Sequence, residues 1–161
     1  MEMPINPIAI PIAAIAALVV GFIWYNPKVF GNAWMEAAGM TEEKMKGGNM
    51  AKIFGLAFLF AILLSVQLMQ MTNHQWGALG MVGGEPLTAL PSFEAFMADY
   101  GTAFRTFKHG ALHGTLAGIF VALPIIGTNA LFERKSAKYI FINAGYWIVT
   151  LGVMGAILCG L

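Results

Sequence analysis

Charge is absent from four long stretches of this chain. No Asp, Glu, Lys or Arg lies between Glu2 and Lys28, between Lys52 and Glu85, between Lys108 and Glu133, or after Lys138. Each gap holds an apolar run long enough to cross a bilayer core as a helix, which takes ~20 residues. The charges stand only where water would begin. These runs predict an all-α polytopic membrane protein. It is expected to be a four-transmembrane-helix bundle with short interfacial amphipathic helices in the first and second connections. The spans are expected at about 5–24, 53–71, 108–132 and 139–161, in a single membrane domain over 1–161. Only 11% of the residues are charged, against roughly 25% in soluble domains.

Net charge is +1, which gives no footprint for nucleic acid. Cys159 is the single cysteine, so no internal disulfide can form, and it is read as a buried inert thiol. The start, Met1-Glu2-Met3-Pro4, carries no basic segment, so the first apolar run is expected to be retained and not removed as a signal. Within that run Pro11 is a candidate kink. Trp24 and Tyr25 before Pro27 end the run as interfacial anchors. Pro124 is a second candidate kink, in the third span.

Basic residues set the expected sidedness. Lys28, Lys44, Lys46 and Lys52 lie in the first connection, and Arg134, Lys135 and Lys138 in the third; together they are seven of the nine basic residues. Both connections are therefore placed in the cytoplasm of a bacterial inner membrane, with both termini outside. Between Asn26 and Lys52 the pattern predicts a short amphipathic helix, with Thr41 as an N-cap before Glu42 and Glu43. The glycine-rich stretch from Met71 to Pro91 reads as an irregular loop. Ser92 is expected to cap the helix after it, on which Phe93, Phe96, Met97, Tyr100, Phe104 and Phe107 would form one aromatic face. That face suits packing on the bundle or the headgroup layer, with a lining for a hydrophobic ligand as the alternative.

Small residues recur four apart in every span. The clearest seam is Gly110, Gly114 and Gly118. In lipid, helix association depends on close backbone approach, which such seams permit. They could serve the bundle, self-association or both. The partners expected are membrane lipids and either further copies of the chain or other membrane subunits.

Polar residues inside the apolar runs are the functional candidates. Gln67, Gln70 and His74 share helical spacing, as do Arg105, His109 and His113, and both sets fall at the outer ends of adjacent antiparallel spans. Three readings follow. One is a structural hydrogen-bond network. A second is an outward polar pocket for a small anion, headgroup or proton, anchored by Arg105. The third is a metal or haem site, with His109 and His113 as metal ligands at i, i+4 spacing. In that case Asp99 or Glu94 would have to reach in as the third ligand, or His74 would pair with His109 across a haem. No cofactor is assigned by the sequence. No catalytic motif is present: G-x-S-x-G, H-E-x-x-H and a phosphate-binding glycine loop with lysine are all missing.

One stretch is distinctive. Gly21-Phe22-Ile23-Trp24-Tyr25-Asn26-Pro27, followed by Phe30-Gly31 and Trp34-Met35, resembles the signature of the bacterial family called domain of unknown function 1761. His113-Gly114 and Asn143-Ala144-Gly145-Tyr146-Trp147 fit the same resemblance. It implies a small four-span membrane protein and no particular activity. Trp24, Tyr25, Phe30 and Trp34 are accordingly read as an interfacial anchor, or else as a docking surface for lipid or a membrane subunit. The function expected from sequence is a non-enzymatic membrane subunit that packs with itself or a larger assembly. A carrier or pore for a small solute is the alternative, and a metal- or haem-binding membrane enzyme the third.

Overall fold

The computed structural model describes residues 6–161, which contain helices and no strand. Pro4 and Ile5, the expected beginning of the first span, lie outside the described residues. The helices are α1 (Ala9–Trp24), α2 (Gly31–Ala38), α3 (Glu42–Lys46), α4 (Met50–Thr72), α5 (Gln75–Met81), α6 (Pro91–Tyr100), α7 (Phe107–Ala117), α8 (Leu123–Phe132) and α9 (Ala137–Gly160). A π turn, Gly118–Ala122, joins α7 to α8. Three rods are long and apolar enough to cross a membrane: Met50–Thr72, Phe107–Phe132 and Ala137–Gly160. Helix α1 is apolar but shorter, at 16 residues.

Polar residues start these helices by satisfying amides that have no helical partner. The side chains of Thr41, Asn49, Thr106 and Ser136 accept from the backbone N–H of Lys44, Lys52, His109 and Tyr139 at 3.3, 3.0, 3.2 and 3.2 Å. Thr41 therefore caps α3 as expected. Ser92 does not cap α6; the helix begins one residue earlier, with Leu90 at the cap and Pro91 at the first helical position, where a missing N–H costs nothing. Pro11 falls in the first turn of α1 for the same reason, and α1 continues through it. Pro124 perturbs its helix upstream. Its ring would strike the carbonyl four residues back, and the chain widens into the π turn, with Leu123 N–H bonding the Gly118 carbonyl.

The second connection departs furthest from expectation. Helix α5 occupies part of the glycine-rich stretch expected to be irregular. Gly77 and Gly80 lower its intrinsic propensity, but Gln75 is buried and Trp76 packs on the core, and these contacts outweigh it. The expected aromatic face is broken. Helix α6 stops at Tyr100, so Phe104 and Phe107 belong to the following turn and to α7.

Helix α9 is the axis of the bundle, contacted by α1, α4, α7 and α8. Helix α1 lies antiparallel along its length. Asn6 Nδ2 donates to the Leu161 carbonyl at 3.5 Å, Tyr146 OH to Ala17 at 3.2 Å, and Trp24 Nε1 to Ile142 at 3.1 Å. Against α7 the approach is closest. A Cβ on Gly110 would run into the Gly155 carbonyl, one on Gly114 into the Leu151 carbonyl, and one on Gly118 into the Ile148 backbone. The Gly110–Gly114–Gly118 seam is thus used inside the chain.

The two basic connections meet at one end of the bundle. Lys138 Nζ lies 2.6 Å from Glu36 Oε2, and Lys135 Nζ donates to the Ala38 carbonyl at 3.3 Å. Both ends of the ion pair are exposed, and Lys138 holds the Glu36 carboxyl below its ordinary range. Any stabilisation from it is present above that range and is lost as pH falls below it through the lowered folded value.

At the same end, Trp24 to Trp34 forms a reversing turn. Asn26 Oδ1 accepts from Lys28 N–H at 2.9 Å, and Phe30 N–H returns to the Trp24 carbonyl at 3.1 Å. A side chain at position 31 would strike the Tyr25 and Asn26 backbone, so Gly31 is required there. The rings pack within the chain, Trp24 on Phe30 at 4.5 Å and Tyr25 edge-on to Trp34 at 5.4 Å. Tyr25 OH donates to Asn143 Oδ1 at 3.0 Å. Burial, with Tyr146 and Tyr139 nearby, holds the Tyr25 phenol above its ordinary value, so it remains a neutral donor. Tyr25→Phe should lower stability by about 1 kcal/mol through that lost bond, read as a lower thermal midpoint in detergent.

Candidate metal centre

His74, His109 and His113 converge at the end of the bundle opposite the basic connections. Thr106 starts α7, and His109 and His113 follow on one face of it, one turn apart. His74 reaches them from a different segment. Helix α4 ends at Thr72, Asn73 is extended (φ −108°, ψ 102°), and His74 precedes α5. His74 is therefore not on a helical face with Gln67 and Gln70, as its spacing suggests.

Two buried amides fix this turn. Asn73 Nδ2 donates to the Leu158 carbonyl of α9 at 3.2 Å. Gln75 Nε2 donates to the Tyr100 and Ala103 carbonyls at 3.0 and 2.9 Å. Cys159 Sγ lies 3.4 Å from both the Thr72 and the Phe104 carbonyl. The residue bearing His74 is thus held from both sides, one anchor reaching α9 and the other the α6–α7 loop.

The geometry is compact. His74 Nε2 and His109 Nε2 are 2.9 Å apart. Ring centroids are separated by 4.9 Å (His74–His109), 5.0 Å (His74–His113) and 4.4 Å (His109–His113). One nitrogen from each ring lies within 4.8 Å of the others, with His74 exposed and the other two half-buried. Phe104 stacks on His109 at 5.1 Å. Its φ of 61° puts a bulky side chain in the left-handed region, which costs roughly 1–2 kcal/mol. Strain of this kind persists only where surrounding contacts enforce it. A cavity of about 170 Å³ adjoins the cluster, walled by His74, Gln75, Phe96, Tyr100, Ala103 and Phe104.

The other polar candidates are elsewhere. Gln67 is exposed and lines an apolar groove with Leu64, Leu68 and Trp147. Gln70 is exposed on α4. Arg105 lines a small cleft with Cys159, Gly160 and Leu161, near the α9 C-terminus, where helix carbonyls favour a cation. Neither Glu94 nor Asp99 belongs to the histidine cluster. Sequence reasoning named His74 but missed it as the third member beside His109 and His113, and missed Asn73 and Gln75 as its anchors. The available signal was Asn73-His74-Gln75, a run of three polar residues inside an uncharged block.

Over residues 8–159 the sequence matches the family described as "Protein of unknown function (DUF1761)". The chain belongs to this family. The DUF1761 match spans the Trp24–Trp34 turn, the three histidines and both anchoring amides. No curated protein and no solved structure matches the chain.

Proposed function

We propose that this DUF1761 protein holds one divalent transition-metal ion through His74, His109 and His113, at the outer end of a four-span membrane bundle. One observation carries the reading: three imidazoles from two separate segments present nitrogens within 4.8 Å of one another. Zinc–nitrogen distances of about 2.0–2.1 Å put tetrahedral ligand nitrogens about 3.4 Å apart. The cluster reaches that arrangement by closing its longest separation and slightly opening the 2.9 Å one. Neutral imidazoles suit zinc, copper, nickel or iron and not magnesium or calcium. Three protein ligands leave a fourth position for water or substrate, the pattern of catalytic zinc.

The haem alternative fits poorly. The macrocycle would have to stand between His74 and His109, where His113 packs 5.0 and 4.4 Å from their rings. A self-associating subunit has less support than the sequence suggested, because its clearest seam is taken up by α9.

The fourth span of the proposal is α1. Its hydrogen bonds to α9 run from Leu161 to Ile142, so the segment from Asn6 to Trp24 covers the depth that α9 covers. Helices α2 and α6 then lie in the two interfaces. With the basic connections in the cytoplasm, both termini and the histidines face outward.

The test is metal loading of untagged protein in mild detergent. Mass spectrometric metal analysis should find one zinc per chain after loading and desalting. Cobalt(II) should give the visible bands of a low-symmetry tetrahedral site. Protein that retains neither metal from micromolar solution rules the site out.

A further inference from the structure

We infer that the opposite, basic end of the bundle holds a second site, a cleft for an anionic phospholipid. It lies between α1, α4 and α9 and measures about 650 Å³, within the ~300–1,000 Å³ typical of ligand sites. Leu18, Phe22, Ile53, Phe54 and Ala57 give it apolar walls, and Tyr25, Trp34 and Tyr146 close it.

Three polar groups of that wall are already bonded within the chain. Tyr25 OH is bonded to Asn143, Tyr146 OH to the Ala17 carbonyl, and Asn26 Oδ1 to Lys28 N–H. With Leu18, Phe22, Ile53, Phe54 and Ala57 making up most of the rest, the interior is suited to hydrocarbon.

Charge complementarity sets the rest of the occupant. Lys28 follows the lining residue Pro27, and Lys52 precedes the lining residue Ile53. Both lysines are exposed, and neither is in an ion pair among the described residues. An amphiphile with a chain in the cleft therefore has its head beside two cations. Lysines at a membrane surface attract anionic lipid, each by about 1 kcal/mol, a factor of roughly five. The chemistry described is a phosphodiester headgroup carrying net negative charge on an acyl chain.

Native mass spectrometry of protein taken from mixed phosphatidylglycerol–phosphatidylcholine vesicles tests this. Quenching of tryptophan by chain-brominated forms of each lipid provides a second reading, because Trp34 lines the cleft. The wild type should retain phosphatidylglycerol about 25-fold over phosphatidylcholine, two lysines at roughly fivefold each, with stronger quenching by its brominated form. Lys28→Gln with Lys52→Gln should bring the ratio near one while leaving the helical circular dichroism unchanged. Ala57→Phe, which fills the cleft, should reduce retention of both lipids. Equal retention by the wild type overturns the inference, as does a preference that survives both changes. A switch from dimer to monomer on Ala57→Phe, with no change in bound lipid, also overturns it, because the occupant is then a second copy of the chain.

Discussion

Gly114→Val is expected to unfold this protein or lower its stability by about 3 kcal/mol or more, at the upper end of what overpacking a tight interface costs. The reason is the identity of the atom in the way. A Cβ at position 114 meets the Leu151 carbonyl oxygen, which is backbone, and the α-carbon of Gly152 lies close behind it. A side chain could rotate aside; a helix backbone cannot. The two helices would have to separate along the seam, and Gly110 and Gly118 would lose their close approach as well. In lipid no hydrophobic drive restores that contact, because the tails are as apolar as the side chains. His109 and His113 ride on α7, while His74 is tied to α9 through Asn73, so metal loading should fall with stability.

Gly55→Ala supplies the contrast. Nothing lies within 4 Å of a Cβ there, and replacing glycine in a helix interior with alanine contributes roughly 0.5–1 kcal/mol. The two substitutions should move the thermal midpoint in opposite directions. Equal midpoints for Gly114→Val and the wild type would mean that α7 and α9 do not pack as described.

The difference between these glycines shows what the sequence could convey. Spacing alone picks out Gly110, Gly114 and Gly118 as a seam, but it carries no information about which surface fills it. Contact with α9, distant in the chain, decides that. Charge placement located the apolar runs because the cost of a charge in hydrocarbon acts residue by residue. Proline and cap chemistry are equally local, and Thr41 was readable for that reason. Pro124 was readable as a perturbation, though not as a π turn five residues long. Ser92 was misread because Pro91 opens the helix just before it.

At the histidines the same division holds. His109 and His113 are one helical turn apart, so their proximity follows from the period of an α-helix. His74 could not be placed, because no glycine or proline marks the end of α4 at Thr72. The chain turns there because Asn73 bonds to Leu158, 85 residues away, and Gln75 to Tyr100 and Ala103, 25 and 28 residues away. A periodic extension of α4 puts His74 above Gln67 and Gln70; the long-range bonds move it onto α7.

His74→Ala should weaken zinc binding by at least about 100-fold, more than the 10–100-fold typical of losing an outer-shell partner. It leaves His109 and His113 as a two-ligand site on one helix. Isothermal titration with zinc measures the loss directly. Because His74 is exposed, the change should leave the helical signal intact and so separates ligand loss from misfolding. Asn73→Ala acts one step further out. It removes the bond to Leu158 and leaves a buried carbonyl without its donor, so about tenfold of affinity should go together with some stability. His74→Cys returns a ligand of different chemistry. It should recover zinc binding and, with cobalt(II), add the near-ultraviolet charge-transfer band of a thiolate, which a histidine held only for packing would not produce. Wild-type zinc affinity in His74→Ala would remove His74 from the site and the three-histidine centre with it.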